Sequence, residues 1–225
     1  MAKIKLSPTV GLGLFLECPR CFWLHVNKNI KRPRGIFPSL PSGMDMLIKK
    51  YFDGFRLKGE LPPEIKDKVK GKLFGDINLL KKWRSWISTG LCYEDKTLDA
   101  SLSGALDDCL VDEGCFIPLD YKTRGSELKE DPAKYYQTQL DCYCLMLEAS
   151  GYKTKNLAYL VYFYPKQVSE FGQVRFEIEP FEIKTNPENA RKIFQEAVKL
   201  LKSPLPQRNM NCEYCSWLER AGAAL

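Results

Sequence analysis

Hydrophobic and polar positions along this chain change period several times, and each change marks an element. Residues 97–111 alternate well enough to be a strand, or two strands bent at Gly104. Asp112-Glu113-Gly114 then marks a hairpin turn, with Cys115–Lys122 as the returning strand. Pro118 sits awkwardly in that run because proline cannot donate to a ladder, which points to an edge strand or a bulge. From Pro132 to Ser150 the period lengthens to three and four, with Tyr136, Leu140, Tyr143 and Leu147 along one helical stripe. Asn156–Tyr164 is the strongest strand and is expected to be central, and Val174–Ile183 alternates as a strand with one polar face. Asn186-Pro-Glu-Asn opens a helix running to Leu201, with Ile193, Phe194, Ala197, Leu200 and Leu201 as its apolar stripe. A further helix is expected over Ser42–Gly54, and 45–88 reads as a helical insertion that could cover a cleft. Strands, a helix, then strands predict an α/β core: a mixed β-sheet flanked by helices.

Composition narrows the setting. At 225 residues and 44% hydrophobic, the chain suits one domain with a proper core. No run reaches the ~20 apolar residues that span a bilayer. The opening Met-Ala-Lys-Ile-Lys-Leu-Ser-Pro lacks the apolar run of a secretory signal. Nine cysteines cannot all pair within one chain. Together these features predict a reducing cytoplasm, no membrane association, and thiols that stay free or bind metal.

Net charge is +6, and its clustering says more than its size. Lys28, Lys31, Arg32 and Arg34 fall beside aromatics, in and before an extended Pro/Gly-rich loop over Lys31–Gly43. Lys66, Lys68, Lys70, Lys72, Lys81, Lys82 and Arg84 occupy a stretch read as helical, together with Trp83 and Trp86. Such clusters either neutralise phosphates and stack bases or form a solvated face with tryptophans turned inward. Inward is the better reading for Trp83 and Trp86.

The candidate chemistry lies in Gly-Ala-Leu-Asp (104–107), Leu-Asp-Tyr-Lys-Thr (119–123) and Gln-Leu-Asp-Cys-Tyr (139–143). A hairpin of the register above could bring Asp107 and Asp120 side by side, an oxygen-rich pair suited to Mg²⁺ or Mn²⁺. Lys122, two residues beyond Asp120 on a strand, shares its face. Gln139 and Tyr143, at i and i+4, share a helix face. Asp108 is a weaker ligand candidate, because neighbouring strand residues point to opposite faces. Carboxylates with a nearby ammonium suit hydrolysis of a phosphodiester.

Gly-x-x-Asp, Asp-x-Lys and Gln-x-x-x-Tyr in this order resemble the RecB-like branch of the PD-(D/E)XK nuclease superfamily, over about Leu98–Tyr164. The resemblance implies a restriction-endonuclease-like core spanning 1–225 as a single domain. It implies Asp107 and Asp120 as metal ligands, joined by the Tyr121 backbone carbonyl. Lys122 would be the catalytic lysine, with Gln139 and Tyr143 steadying the site or the DNA. Many relatives carry a histidine ligand on an early helix, and the equivalent position here falls near Leu47. Either the site has fewer protein ligands or Asp45 takes that place. The sole histidine, His25, lies elsewhere and reads as structural.

Two cysteine pairs stand at the chain's ends, Cys18-Pro-Arg-Cys21 and Cys212-Glu-Tyr-Cys215, with 191 positions from Cys21 to Cys212. They could complete a zinc site or ligate a [4Fe–4S] cluster, clasping 1–25 to 205–219. Incidental pairs or a disulfide remain the plain alternative. Phe22, Trp23, Tyr214 and Trp217 would suit a shielded cluster or an ordinary core equally. The resemblance extends to the iron–sulfur CRISPR-associated adaptation nuclease and AddB-type domains, which favours [4Fe–4S] over zinc. Those relatives commonly use one early and three late cysteines, whereas this chain has two and two. The resulting expectation is a Mg²⁺- or Mn²⁺-dependent deoxyribonuclease acting on single strands or ends, with protein partners in DNA repair or CRISPR adaptation. The alternatives are an inactive nucleic-acid-binding subunit of the same fold and a protein whose metal cluster is itself the functional part.

Overall fold

The computed structural model describes residues 3–33, 35, 39–85, 90–128, 131 and 133–223. Its centre is the hairpin of β5 (Asp108–Asp112) and β6 (Cys115–Thr123). Glu113 and Gly114 both take left-handed φ, 49° and 78°, which matches the twist a two-residue hairpin turn needs. The turn sets the register that pairs Asp112 with Cys115 and Asp108 with Leu119. β7 (Leu157–Val168) runs parallel to β6, β8 (Val174–Lys184) returns along β7, and the two-residue β2 (Lys72–Leu73) caps the other edge. The five-stranded order is β2-β5-β6-β7-β8.

A second, three-stranded sheet holds β1 (Ile4–Leu6), β4 (Ala100–Gly104) and β3 (Leu91–Asp95), in the order β1-β4-β3. The stretch 97–111 is therefore two strands in two different sheets. Gly104 ends the first. A Cβ there would stand 3.0 Å from the Pro8 ring, so glycine lets the amino-terminal segment close on the turn that delivers Asp107.

Helices cover both faces of the larger sheet. β7 explains how: Ala158, Leu160 and Tyr162 pack into one core with α5 (Ala133–Ala149) and α6 (Pro187–Leu201). Leu157, Tyr159, Val161 and Phe163 pack into the other, with Ile48 and Phe52 of α3 (Ser39–Lys58). A strand buried on both faces reads as a continuous apolar run. The same alternation puts Leu119 and Tyr121 of β6 under α3 and leaves Asp120 and Lys122 on the face of α5. The remaining helices are α1 (Leu14–Glu17), entered through a π-helical turn at Pro8–Gly13, then α2 (Pro19–Lys28), α4 (Ile77–Trp83) and α7 (Glu213–Ala223). Among the described residues no helix is long and apolar enough to cross a membrane.

Three expectations need correction. Pro118 lies in a central strand, at neither an edge nor a bulge. Its partner Cys109 turns its carbonyl away, to Phe74 N at 2.9 Å, and pairing with β7 begins only at Leu119, so no proline N–H is required there. The span 45–88 is not wholly helical: two prolines, left-handed Asp67 and left-handed Gly71 turn the chain, and Lys72 enters β2. Lys66, Lys68 and Lys70 thus line turns. The loop expected to run to Gly43 ends earlier, because α3 begins at Ser39 with Pro41 in a first turn that tolerates it. Trp83 is buried against Phe74, Phe116 and Tyr152, while Arg34, Trp86 and Pro132 lie outside the described residues.

One buried ionic cluster locks α3 and α4 to the hairpin. Arg56 Nη2 donates to both carboxylate oxygens of the fully buried Asp108 at 2.6 Å. Arg84 Nη2 reaches Asp108 at 3.0 Å, its Nη1 reaches Asp53 at 2.7 Å, and the Tyr121 hydroxyl donates to Asp108 at 2.5 Å. Burial first, and the Asp108 charge second, push the Tyr121 hydroxyl well above its usual range, so it stays a donor. Truncating one partner leaves charge buried and underpaired. Arg56→Ala is expected to lower stability by about 3–5 kcal/mol in denaturant unfolding. A loss below about 1 kcal/mol would mean that the cluster's attraction merely balances its desolvation.

Candidate active site

The hairpin register places Asp107, just before β5, beside the strand that carries Asp120. Tyr121 N donates to Asp107 Oδ2 at 3.2 Å. In a strand the N–H and C=O of one residue face the same neighbour. The Tyr121 carbonyl therefore also faces the side where β5 has ended, free of the ladder. Arg84 Nε holds the Asp107 carbonyl at 2.7 Å, fixing the turn from behind.

Asp120 is almost completely buried on β6. Lys122 Nζ lies 2.5 Å from its Oδ2. The Gln139 amide joins the two: its Nε2 donates to Asp120 Oδ1 at 3.2 Å, and its Oε1 accepts from Lys122 at 3.3 Å. Gln139 also donates to the Tyr143 hydroxyl at 2.7 Å, which turns to Asp120 Oδ1 at 3.4 Å. Lys122 further lies 4.2 Å from the Tyr136 ring centroid, a cation–π contact that steadies the ammonium. The structure thus brings Asp120, Lys122, Gln139 and Tyr143 together, with Asp107 and the Tyr121 backbone alongside.

Burial first and the Asp107 charge second raise the Asp120 pKa from 3.8 to about 6, against the pull of Lys122. The pair is therefore a poor place for two bare carboxylates. Asp120 Oδ2 is buried with no hydrogen bond aimed at it beyond the Lys122 ion-pair contact. An oxygen so placed, with Asp107 opposite, fits a hard divalent cation. Asp108 is spent in the arginine cluster and is not part of this donor set.

Three contributors escaped sequence reasoning. Lys49 of α3 lies 2.8 Å from Asp107 Oδ1 and 2.7 Å from Asp45 Oδ2. Burial lowers its pKa, but the two carboxylates outweigh that and hold it above its usual value. Arg56 and Arg84 brace the carboxylates from the far side. A lone helix charge carries no mark of a distant partner; of the three, only Lys49 has a sequence signal, its i,i+4 spacing from Asp45. Leu47, the position expected to be equivalent to the relatives' histidine, is largely exposed, and Asp45 meets the site through Lys49. His25 lies on α2.

Cavities flank the carboxylates on two sides. One of about 370 Å³ is lined by Gln139, Tyr143, Gly104, Ser103, Pro8 and Thr9 among others. Another of about 360 Å³ is lined by Asp45, Ile48, Tyr121, Lys122, Thr123 and neighbours.

The cysteines form a second centre. Cys18 caps α2 and its thiol accepts from Cys21 N at 3.5 Å; Cys212 immediately precedes α7. Both pairs therefore start helices, whose N-termini favour thiolate charge. Sγ atoms lie 3.7 Å apart for Cys18–Cys215 and Cys21–Cys212, and 3.9 Å for Cys21–Cys215. All four are buried and mutually within 4.8 Å. Burial pushes the Cys21 thiol up to about 12, with Cys18 and Cys212 adding to the rise. Burial also opposes ionisation of Cys212, yet the Cys215 N–H and the neighbouring thiols bring it down to about 7. Arg32 approaches Cys212 Sγ at 3.4 Å while stacked 4.4 Å from the Tyr214 ring centroid. Phe22 belongs to the main core, and Trp217 is 60% exposed and does not shield the cluster. None of the nine cysteines is in a disulfide.

No curated protein matches this chain. A family model does, over residues 56–220, a span that contains both acidic positions, the lysine, Gln139, Tyr143 and the late cysteine pair. That match covers well over half of the sequence, and the chain belongs to the PD-(D/E)XK nuclease superfamily.

Proposed function

We propose that this protein is a Mg²⁺- or Mn²⁺-dependent deoxyribonuclease that hydrolyses phosphodiester bonds in single strands or at ends. The observation that carries the reading is the cluster of Asp120, Lys122 and Gln139 on β6 and α5, with Asp107 held beside it on the Tyr121 N–H. A divalent ion, when bound, polarises the phosphate and lowers the pKa of water. Asp107, Asp120 and the Tyr121 carbonyl are the oxygens that would hold it. Lys122, gripped by Gln139 and the Tyr136 ring, keeps a positive charge where the attacking water or the developing phosphorane charge needs it. Tyr143 and Gln139 fix the orientation of Asp120. An inactive binding subunit would have no need of two neighbouring carboxylates with a lysine in place, and that intact set favours the enzyme. Protein partners in DNA repair or CRISPR adaptation follow from the family resemblance.

The cysteine centre is proposed as a structural metal site joining the chain's ends. Three of its sulfur separations, 3.7, 3.7 and 3.9 Å, are compatible with one tetrahedral ion, because Zn–S bonds of about 2.3 Å place sulfurs roughly 3.8 Å apart. The family resemblance instead favours [4Fe–4S], whose own body of iron and sulfide would spread the ligands.

Alanine at Asp120 or Lys122 is expected to cut Mn²⁺-dependent cleavage of a labelled single strand by about 100-fold or more. Undiminished cutting by either folded variant would refute the assignment. Metal analysis of anaerobically purified protein separates the two centres. Distance predicts about one zinc per chain and no colour, whereas iron with sulfide and a brown solution would establish the cluster.

A pH measurement isolates Asp120. Its folded pKa is raised to about 6 from 3.8, so its ionisation destabilises the metal-free fold: its stabilising contribution is present below about pH 4 and lost as pH rises through 6. Metal-free Asp120→Asn is therefore expected to melt at or above the parent near pH 7.5, with the advantage fading towards pH 4. An advantage that grows on acidification would overturn the environment assigned to Asp120.

A further inference from the structure

Every oxygen of the acidic pair already has a cationic or N–H/O–H neighbour. Lys122 serves Asp120 Oδ2, and Gln139 and Tyr143 serve its Oδ1; Tyr121 N serves Asp107 Oδ2. Asp107 Oδ1 is held by Lys49 at 2.8 Å. The two lysines differ in how they are anchored. Lys122 is tied to the site by the Gln139 carbonyl oxygen and the Tyr136 ring. Lys49 instead has a second carboxylate within reach on its own helix: Asp45 Oδ2 at 2.7 Å, one turn back on α3. Its side chain and that of Asp107 are each only about a fifth exposed, 22% and 21%, whereas Asp45 is 41% exposed.

From this geometry we infer that Lys49 is a resident counter-cation of Asp107 that competes with the divalent ion, and that Asp45 is the acceptor that draws it away. The inference rests on the metal-site reading above. An oxygen-bound Mg²⁺ or Mn²⁺ must come within about 2.1 Å of its ligand. That puts it a few ångströms from an ammonium on the same carboxylate oxygen, where like charges repel strongly at the low effective dielectric of a half-buried site. Lys49 does not need to leave the protein to relieve this. A rotation about its flexible stem exchanges a shared position between Asp107 and Asp45 for one on Asp45 alone. Asp45 thus lowers the cost of metal entry without touching the metal. Both members of the pair, Asp45 and Lys49, stand on α3.

Calorimetric titration of the purified full chain with MnCl₂ tests this without reference to activity. Lys49→Met, which keeps the stem and removes the charge, is expected to bind Mn²⁺ about tenfold more tightly than the parent. Asp45→Asn, which leaves Lys49 with Asp107 alone, is expected to bind it about threefold or more weakly. The double variant is expected to match Lys49→Met, because Asp45 acts only through Lys49. Unchanged or weaker binding by Lys49→Met overturns the inference, as does a double variant that binds more weakly than Lys49→Met, which would make Asp45 a ligand. Should the methionine variant not fold, Lys49→Gln carries the same expected sign. Asp120→Ala distinguishes the levels: if it binds Mn²⁺ like the parent, the metal-site reading itself fails and takes this inference with it. If it loses Mn²⁺ while Lys49→Met is unaltered, only the inference fails.

Discussion

Two carboxylates held at the end of one hairpin, with burial and the Asp107 charge opposing ionisation of Asp120, form the constraint around which this molecule is arranged. Asp107 and Asp120 are brought together by a turn whose left-handed Glu113 and Gly114 admit only one register. The surrounding structure then bears the charge. Lys49 and Lys122 flank the pair, and Gln139 couples Lys122 to Asp120 so that neither side chain is free to drift. Behind them, Arg56 and Arg84 neutralise Asp108 and Asp53, so the acidic run at 107–108 is split into one partly exposed carboxylate and one buried anchor. The same arginine that pairs with Asp108 also holds the Asp107 carbonyl, which ties the position of the reactive carboxylate to the packing of α4.

The cysteine centre serves the same end from a distance. Closing a loop of some 190 residues restricts the unfolded chain considerably, and that cost grows only slowly with length. The clasp does not rest on sulfur alone. Arg20, Trp23 and Asn27 of α2 donate to the carbonyls of Pro206, Ser203 and Leu201, so the early helix is fastened along the end of α6 as well. Those contacts hold the amino-terminal segment whose Pro8 packs against Gly104, just before the turn to Asp107. The far centre is therefore linked to the acidic site through packing of the first strand and turn, without any charge passing between the two.

How much of this was legible before folding depends on whether local pattern or tertiary packing decides. The hairpin was legible, because turn chemistry at 112–114 and period-two alternation suffice to oppose Asp107 and Asp120. Gln139 and Tyr143 were legible from helical spacing, and the α6 stripe from its period. That residues 97–111 divide between two sheets was not, since alternation carries no information on which sheet a strand joins. Pro118 misled because its tolerance depends on which neighbour each backbone group faces, which only the assembled sheet decides. Lys49, Arg56 and Arg84 were invisible for a related reason. A charged helix residue reads as solvated until a distant carboxylate is packed against it, and Asp108 stands 52 positions from Arg56.

The charge balance at the site argues that these tertiary additions are more than scaffolding. Asp107 and Asp120 together offer two negative charges, and Lys49 and Lys122 already return two positive ones. As it stands the pair is close to neutral and has little electrostatic reason to gather a divalent ion from solution. Asp45 changes that balance by one unit without entering the ligand set, because it can hold one of the two ammoniums. A histidine in the early helix would add a ligand and no fixed charge. A lysine paired with an aspartate one turn away instead adds a movable charge, which stabilises the carboxylates when the ion is absent and can withdraw when it arrives. On that view the pair on α3 answers one electrostatic problem: keeping two acids side by side in a protein that must fold before any metal binds.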